Sequence, residues 1–156
     1  MKKRMIFLVA AAALALAGCG SGTSVKKEGN SADAKTFKLG VNLELSGAVA
    51  AYGDVESDGI KLAVDEINKD GGIDGKKIEI VDKDNKSDND EAASVSANLA
   101  TNEKVVAQIG PATSGASKSS LANLTKAGVP MITPSGTDDS IIVDGDKVQK
   151  YAFRSC

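Results

Sequence analysis

At 156 residues the chain has room for one ordinary domain, and with three Phe, two Tyr and no Trp its core must be built from Val, Ile, Leu and Ala. His is absent, which removes the usual general base and the commonest metal ligand. The formal charge is −2, and no basic stretch interleaved with aromatic residues offers a nucleic acid a platform.

Lys2, Lys3 and Arg4 open the chain, and 5–17 is an Ala- and Leu-rich apolar run. At roughly 13 residues it falls short of the about 20 that a membrane-spanning helix needs. Residues 1–18 therefore read as a secretory signal peptide, whose removal takes the formal charge from −2 to −5. The run ends Leu16-Ala17-Gly18-Cys19, which resembles the lipobox of bacterial lipoproteins. That resemblance makes Cys19 the lipidated first residue of the mature protein, tethered to a membrane by its acyl chains. Residues 19–35 are Gly, Ser, Lys, Asn and Ala with almost nothing to bury, and read as a flexible tether. Ser24-Val25-Lys26-Lys27 fits the Ser-x-x-Lys pattern of serine acyltransferases, but a tether cannot hold a nucleophile in place. A Cys19–Cys156 disulfide is conceivable, though nothing in the spacing supports one.

The folded part is expected over 36–156. An alternating run at 37–43 predicts the first strand, and a loop follows over 44–53, with Tyr52 as its aromatic residue. Ile60, Ala63, Val64 and Ile67 then form one apolar stripe of a helix, which the turn cluster 70–75 ends. Residues 78–81 predict the second strand. Ala92, Val95, Ser96 and Leu99 share a face of the second helix, and 105–109 predict the third strand. Gly110-Pro111 stops that strand, Ser114 stands where a helix N-cap is expected, and a third helix runs to about 127. A short fourth strand at 129–132 enters Thr133-Pro134-Ser135-Gly136-Thr137. Residues 138–150 are polar and carry no clear pattern, and 151–154 begin another strand.

Strands alternating with amphipathic helices imply βαβ units, hence an α/β fold: a doubly wound parallel sheet with helices on both faces. Ligands of such sheets sit outside the carboxyl ends of the strands. That rule gathers three hydroxyl-rich loops on one edge, 46–53, 112–115 and 133–137. The first-turn amides of the third helix, with the dipole behind them, suit a carboxylate or another small anion. The acidic run 82–91 fails as a calcium loop: laid over that pattern, Lys86 falls at a ligand position, the required Gly is missing and Ala93 stands where Glu belongs. Asp88 and Asp90 fit better as residues favouring the next helix N-terminus. No metal or cofactor is expected.

Leu43-Glu44-Leu45-Ser46-Gly47, Ala51-Tyr52-Gly53, Ala63-Val64-Asp65-Glu66-Ile67-Asn68, Ile109-Gly110-Pro111, Thr113-Ser114-Gly115, Thr133-Pro134-Ser135-Gly136-Thr137 and Phe153-Arg154 together resemble one family. It is the substrate-binding proteins of branched-chain amino acid (Leu/Ile/Val-type) ABC transporters. The resemblance implies a two-lobed protein, without catalysis, that closes on an amino acid and delivers it to a membrane permease. It makes 36–156 the ligand-binding first lobe, incomplete because members carry a second lobe of similar size. By position, Ser114 would give its hydroxyl and N–H to the ligand carboxylate. Ser135 and Thr137 would supply a backbone carbonyl and a hydroxyl, shared between ammonium and carboxylate. Tyr52 takes the place of an aromatic wall. Thr113 stands where one branch has a disulfide cysteine, and no partner Cys exists for it here. The implied location is extracytoplasmic, lipid-anchored at the bacterial cell membrane. On the same scaffold relatives accept amides, urea or aromatic acids. A secreted hydrolase using Ser114 is disfavoured, since neither a His nor Gly-x-Ser-x-Gly is present.

Overall fold

The computed structural model describes residues 35–156. The signal segment, Cys19 and the tether up to residue 34 lie outside the described residues. Five strands form one parallel sheet in the order β2-β1-β3-β4-β7: β1 (Thr36–Leu43), β2 (Lys77–Asp84), β3 (Ala107–Ile109), β4 (Met131–Thr133) and β7 (Ala152–Arg154). Between them run α1 (Ala50–Lys69), α2 (Asn89–Thr101) and α3 (Ser114–Ala127). This is the α/β parallel sheet that the alternation of elements predicts.

Two apolar clusters divide the core. On one face Leu99 of α2 and Leu124 of α3 pack with Val105, Val129 and Met131, with Val81, Val95 and Leu121 at the margin. On the other, Val41 and Leu43 of β1 pack with Ala112, Leu45, Ile80 and Ile60 of α1. Asn42 points into the first face, where its amide donates to the Ala92 carbonyl (3.0 Å) and Ser96 Oγ (2.9 Å), and its carbonyl accepts from Asn85 Nδ2 (3.0 Å). This fully buried polar link ties β1 to α2 and to the loop after β2.

Coverage of the α1 face is uneven. Register places Val41, Ile109, Ile132 and Phe153 in one row across β1, β3, β4 and β7. Exposure along it rises from 1% at Val41 to 38% at Ile132 and 52% at Phe153, because α1 packs on β1 and β2.

Three expectations need correction. The buried face of α1 runs through Gly53, Ser57 and Val64, with Ile60 half-buried, whereas Ala63 and Ile67 are exposed. The helix also begins earlier than expected, so Tyr52 lies in its first turn and not in a loop. The N-cap of α3 is Thr113, one residue before Ser114. By contrast Asp88 does cap α2, its carboxylate accepting from the Glu91 amide at 2.8 Å. The patternless stretch 138–150 is a 3₁₀ turn, Asp139–Ile141, followed by a small antiparallel pair, β5 (Val143–Asp144) and β6 (Lys147–Val148).

Candidate functional site

All five strands of the sheet point their carboxyl ends the same way, so the loops after β1, β3 and β4 open on one edge. A pocket of about 520 Å³ lies among them. Tyr52, Thr113, Ser114, Ser135 and Thr137 all line it, although they come from three separate stretches of the chain: the first turn of α1, the start of α3 and the loop after β4. Val49, Ala112, Pro134 and Cys156 complete the lining and make much of the wall apolar.

The turn after β3 is built by local constraint. Gly110 has φ +87°, and a Cβ there would fall 2.1 Å from the Asn42 carbonyl oxygen, so the position admits only glycine. The Pro111 carbonyl accepts from Thr133 Oγ1 (2.6 Å) and Ser117 Oγ (3.0 Å), joining the turn to β4 and α3. From beneath, Glu44 holds the next two residues: its carboxylate accepts from the Ala112 amide (2.9 Å), the Thr113 amide (3.1 Å) and Thr113 Oγ1 (2.9 Å). Glu44 is fully buried and satisfied by these donors. The Thr113 hydroxyl is therefore committed inward, which is why Thr113 holds the N-cap position of α3 without a side-chain hydrogen bond to the helix amides.

Ser114 is the first residue of α3, and the amides of Ser114, Gly115 and Ala116 belong to the turn whose donors no intrahelical carbonyl can reach. Ser114 Oγ accepts from the amides of Thr137 (3.1 Å) and Asp138 (3.2 Å), which brings the loop after β4 over the helix end. Among the described residues no basic group is bonded to Ser114 Oγ, so nothing there prepares it as a nucleophile. Ser135 Oγ turns away from the pocket, 2.6 Å from Glu56 Oε1 of α1 and 3.1 Å from the Ala112 carbonyl oxygen. Tyr52 stands 63% exposed in the first turn of α1, as a wall on the opposite side.

The loop carrying Thr137 is anchored from two sides. Arg154 donates to the Thr137 carbonyl (2.7 Å) and pairs with Asp139 (2.7 Å). Lys118 pairs with Asp138 at 2.7 Å, and its hydrogen bond, with those from Ser140, holds the Asp138 carboxyl well below the usual range. The loop after β1 is fixed by Asp84, which accepts from the amides of Leu45, Ser46 and Lys86 and from Ser46 Oγ.

Glu44, Glu56 and Arg154 are the residues for which sequence reasoning assigned no role. A signal for Glu44 was present: it is a carboxylate between Leu43 and Leu45 at the end of a buried strand. The pocket combines the amino end of α3 and the hydroxyl-bearing residues Ser114, Ser135 and Thr137 with the apolar residues Val49, Ala112 and Pro134. Such a set suits a small zwitterion with an apolar side chain.

Residues 36–155 match the family described as "Periplasmic binding protein". The leucine-, isoleucine-, valine-, threonine- and alanine-binding protein of Pseudomonas aeruginosa is 34% identical over 88% of this chain and 34% of its own length. The structure of the branched-chain amino acid transporter substrate binding protein LivJ from Streptococcus pneumoniae, in complex with isoleucine, is similar at a TM-score of 0.72. It is 59% identical over 76% of this chain and 33% of that one. The leucine binding protein LivK of Thermotoga maritima gives a TM-score of 0.69 at 30% identity, over 78% of this chain and 33% of that one. The chain thus spans about a third of the length of these relatives.

Proposed function

The chain belongs to the periplasmic binding protein family, and from that premise we propose that it is the first lobe of an extracytoplasmic solute-binding protein that takes a branched-chain amino acid for import. The observation that carries this reading is the meeting of the α3 amino end with the Ser135 and Thr137 loop beside an apolar wall. The ligand carboxylate lies against the Ser114 hydroxyl and the first-turn amides, where donor geometry and helix dipole both favour an anion. The ammonium faces the Ser135 carbonyl and the Thr137 hydroxyl. The aliphatic side chain rests on Val49, Tyr52 and Pro134. The kinship with binding proteins for leucine, isoleucine and valine supports the ligand class. The protein performs no chemistry on this ligand; an ABC transporter permease receives it.

Lipid attachment at Cys19, proposed from Leu16-Ala17-Gly18-Cys19, would keep the protein at the outer side of the cell membrane. Intact mass measured on the native polypeptide from its own membrane tests this: acyl chains on Cys19 are expected, and an unmodified Cys19 overturns the anchor.

Calorimetric titration of the native polypeptide with leucine, isoleucine and valine tests the function. Saturable binding is expected for at least one of them, and Ser114→Ala should weaken it at least about tenfold, as loss of a hydrogen bond to a charged group does. Absence of binding to any amino acid refutes the reading.

A further inference from the structure

Glu56 is a half-buried acid that the proposed binding chemistry does not use. It lies on the inner side of α1, directly behind the ligand-facing loop, and its Oε2 is buried with no hydrogen-bond partner. Its other oxygen is 2.6 Å from Ser135 Oγ, and that hydroxyl is also 3.1 Å from the Ala112 carbonyl oxygen.

The hydrogens can be counted. Ser135 Oγ has one proton to give, and the Ala112 carbonyl can only accept. If Glu56 were ionised, it too could only accept, and the single hydroxyl proton would have to choose. Given to Ala112, that proton would leave the 2.6 Å contact between Ser135 Oγ and Oε1 as two acceptors with no hydrogen. Given to Oε1, it would still leave Oε2 holding charge in a buried place with no donor. A proton on Glu56 Oε1 removes both conflicts. Glu56 donates to Ser135 Oγ, Ser135 donates to the Ala112 carbonyl, and Oε2 becomes the neutral carbonyl oxygen of an acid. A 2.6 Å separation is normal for such an O–H···O bond.

We propose that Glu56 is a protonated positioning residue, the first donor in a relay through Ser135 to the Ala112 carbonyl that locks the loop after β4 onto the loop after β3. The relay fixes Ser135, which lines the pocket, while Glu44 fixes Ala112 and Thr113 through their amides. The Ala112 peptide and its neighbour are thus held by an acid on one side and a carboxylate on the other.

The charged surroundings agree. Burial pushes the Glu56 carboxyl above its ordinary 4.5; a hydroxyl donating to it would pull it down, and the nearby Glu44 carboxylate adds to the rise. Glu44, from the loop after β1, is the charged group that bears on Glu56. The cations at this edge are engaged elsewhere, Lys118 with Asp138 and Arg154 with Asp139. On the outer part of α1, Lys61 pairs with Asp82 of β2.

The consequence for a ligand rests on the function proposed above, but the proton does not, so the experiment reads the proton in the ligand-free native polypeptide. Infrared difference spectra of wild type against Glu56→Gln, from about pH 4 to 8, are expected to show a carboxylic-acid carbonyl absorption. It should be lost in the variant and persist at about pH 5.5, where ordinary carboxyls have ionised. The thermal midpoint adds the sign. A group whose native value is raised costs stability as pH climbs from the ordinary value through the native one. Wild type should therefore fall relative to Glu56→Gln over that interval, because Gln keeps a donor toward Ser135 and never ionises. No acid carbonyl at about pH 5.5, or a wild type that gains on Glu56→Gln as pH rises, overturns the proposal. With leucine, Glu56→Ala should weaken binding about tenfold and Glu56→Gln restore most of it; equal weakening by both overturns the positioning role. An acid carbonyl in a protein that binds no amino acid would leave the proton assigned and sink the function instead.

Discussion

Glu44 offers the sharpest test of how the pocket is held. Replacing it by Ala removes the acceptor for the Ala112 and Thr113 amides and for Thr113 Oγ1 at once. The hydroxyl can turn to another partner, but the Ala112 amide is buried and cannot reach water. A stranded buried donor costs about 1–3 kcal/mol, so two amides together cost about 2–6 kcal/mol. The Thr113 amide is only half-buried and recovers part of its loss from water, which leaves about 3 kcal/mol. With a urea dependence of about 2 kcal/mol per molar for a domain of this size, the unfolding midpoint should fall by about 1.5 M. Glu44→Gln keeps one carbonyl oxygen and should lose about half as much. Urea unfolding followed by circular dichroism measures both. A Glu44→Ala midpoint within about 0.3 M of wild type would refute the reasoning, as would a Gln variant less stable than the Ala variant.

Gly53→Ala should destabilise by about 2 kcal/mol or more, although Ala is the better helix former by about 1 kcal/mol. The new Cβ would stand 2.3 Å from the Glu44 carbonyl oxygen, so α1 must move off the sheet; a thermal midpoint at or above wild type contradicts this. Asp84→Asn should lower stability at neutral pH, with the deficit shrinking in acid. Burial pushes the Asp84 carboxyl up, but the Ser46 hydroxyl and the amides of Lys86, Leu45 and Ser46 outweigh it, and the net value lies below the ordinary 3.8. Its stabilisation is thus complete above about pH 3.8 and fades as pH falls through the native value; acid titration of the two proteins should show the curves converging. Arg154→Ala should free the Thr137 carbonyl and Asp139, raising amide hydrogen exchange in the loop after β4 and weakening amino acid binding about three- to tenfold, whereas exchange in β1 stays as it was.

The strands and helices were legible because their apolar residues stand out: the strand read at 37–43 and the Ala92, Val95, Leu99 face both form, although burial along β1 does not alternate, its last four residues being buried on both faces. The face of α1 was misread because it meets the sheet through small residues. Gly53 and Ser57 allow the helix to approach β1 closely, and a search for large apolar side chains passes over them. Thr113 takes the N-cap position in place of Ser114 without a side-chain cap, since its hydroxyl answers to Glu44, which is distant in sequence. The convergence of Ser114, Ser135 and Thr137 followed from strand direction alone. The Glu44 and Glu56 contacts did not, since a carboxylate is buried only where tertiary structure brings it donors, and no local pattern announces them. The 3₁₀ turn and the small pair β5–β6 lacked a period to read, being only two or three residues each.

The strand order bears on the sequence in which the parts of the lobe can assemble as the chain emerges. After the single reversal that sets β2 outside β1, each later strand of the sheet joins the edge left by its predecessor, so the sheet grows in one direction. A chain emerging amino end first can assemble β2-β1-β3 with α1 and α2 as soon as residue 109 is free. The pocket waits for Thr137, and the brace on Thr137 waits for Arg154 at the far end. The pocket is therefore assembled later than the β2-β1-β3 part of the sheet, and a ligand of the kind proposed could retain the finished fold but not guide its early strands into place.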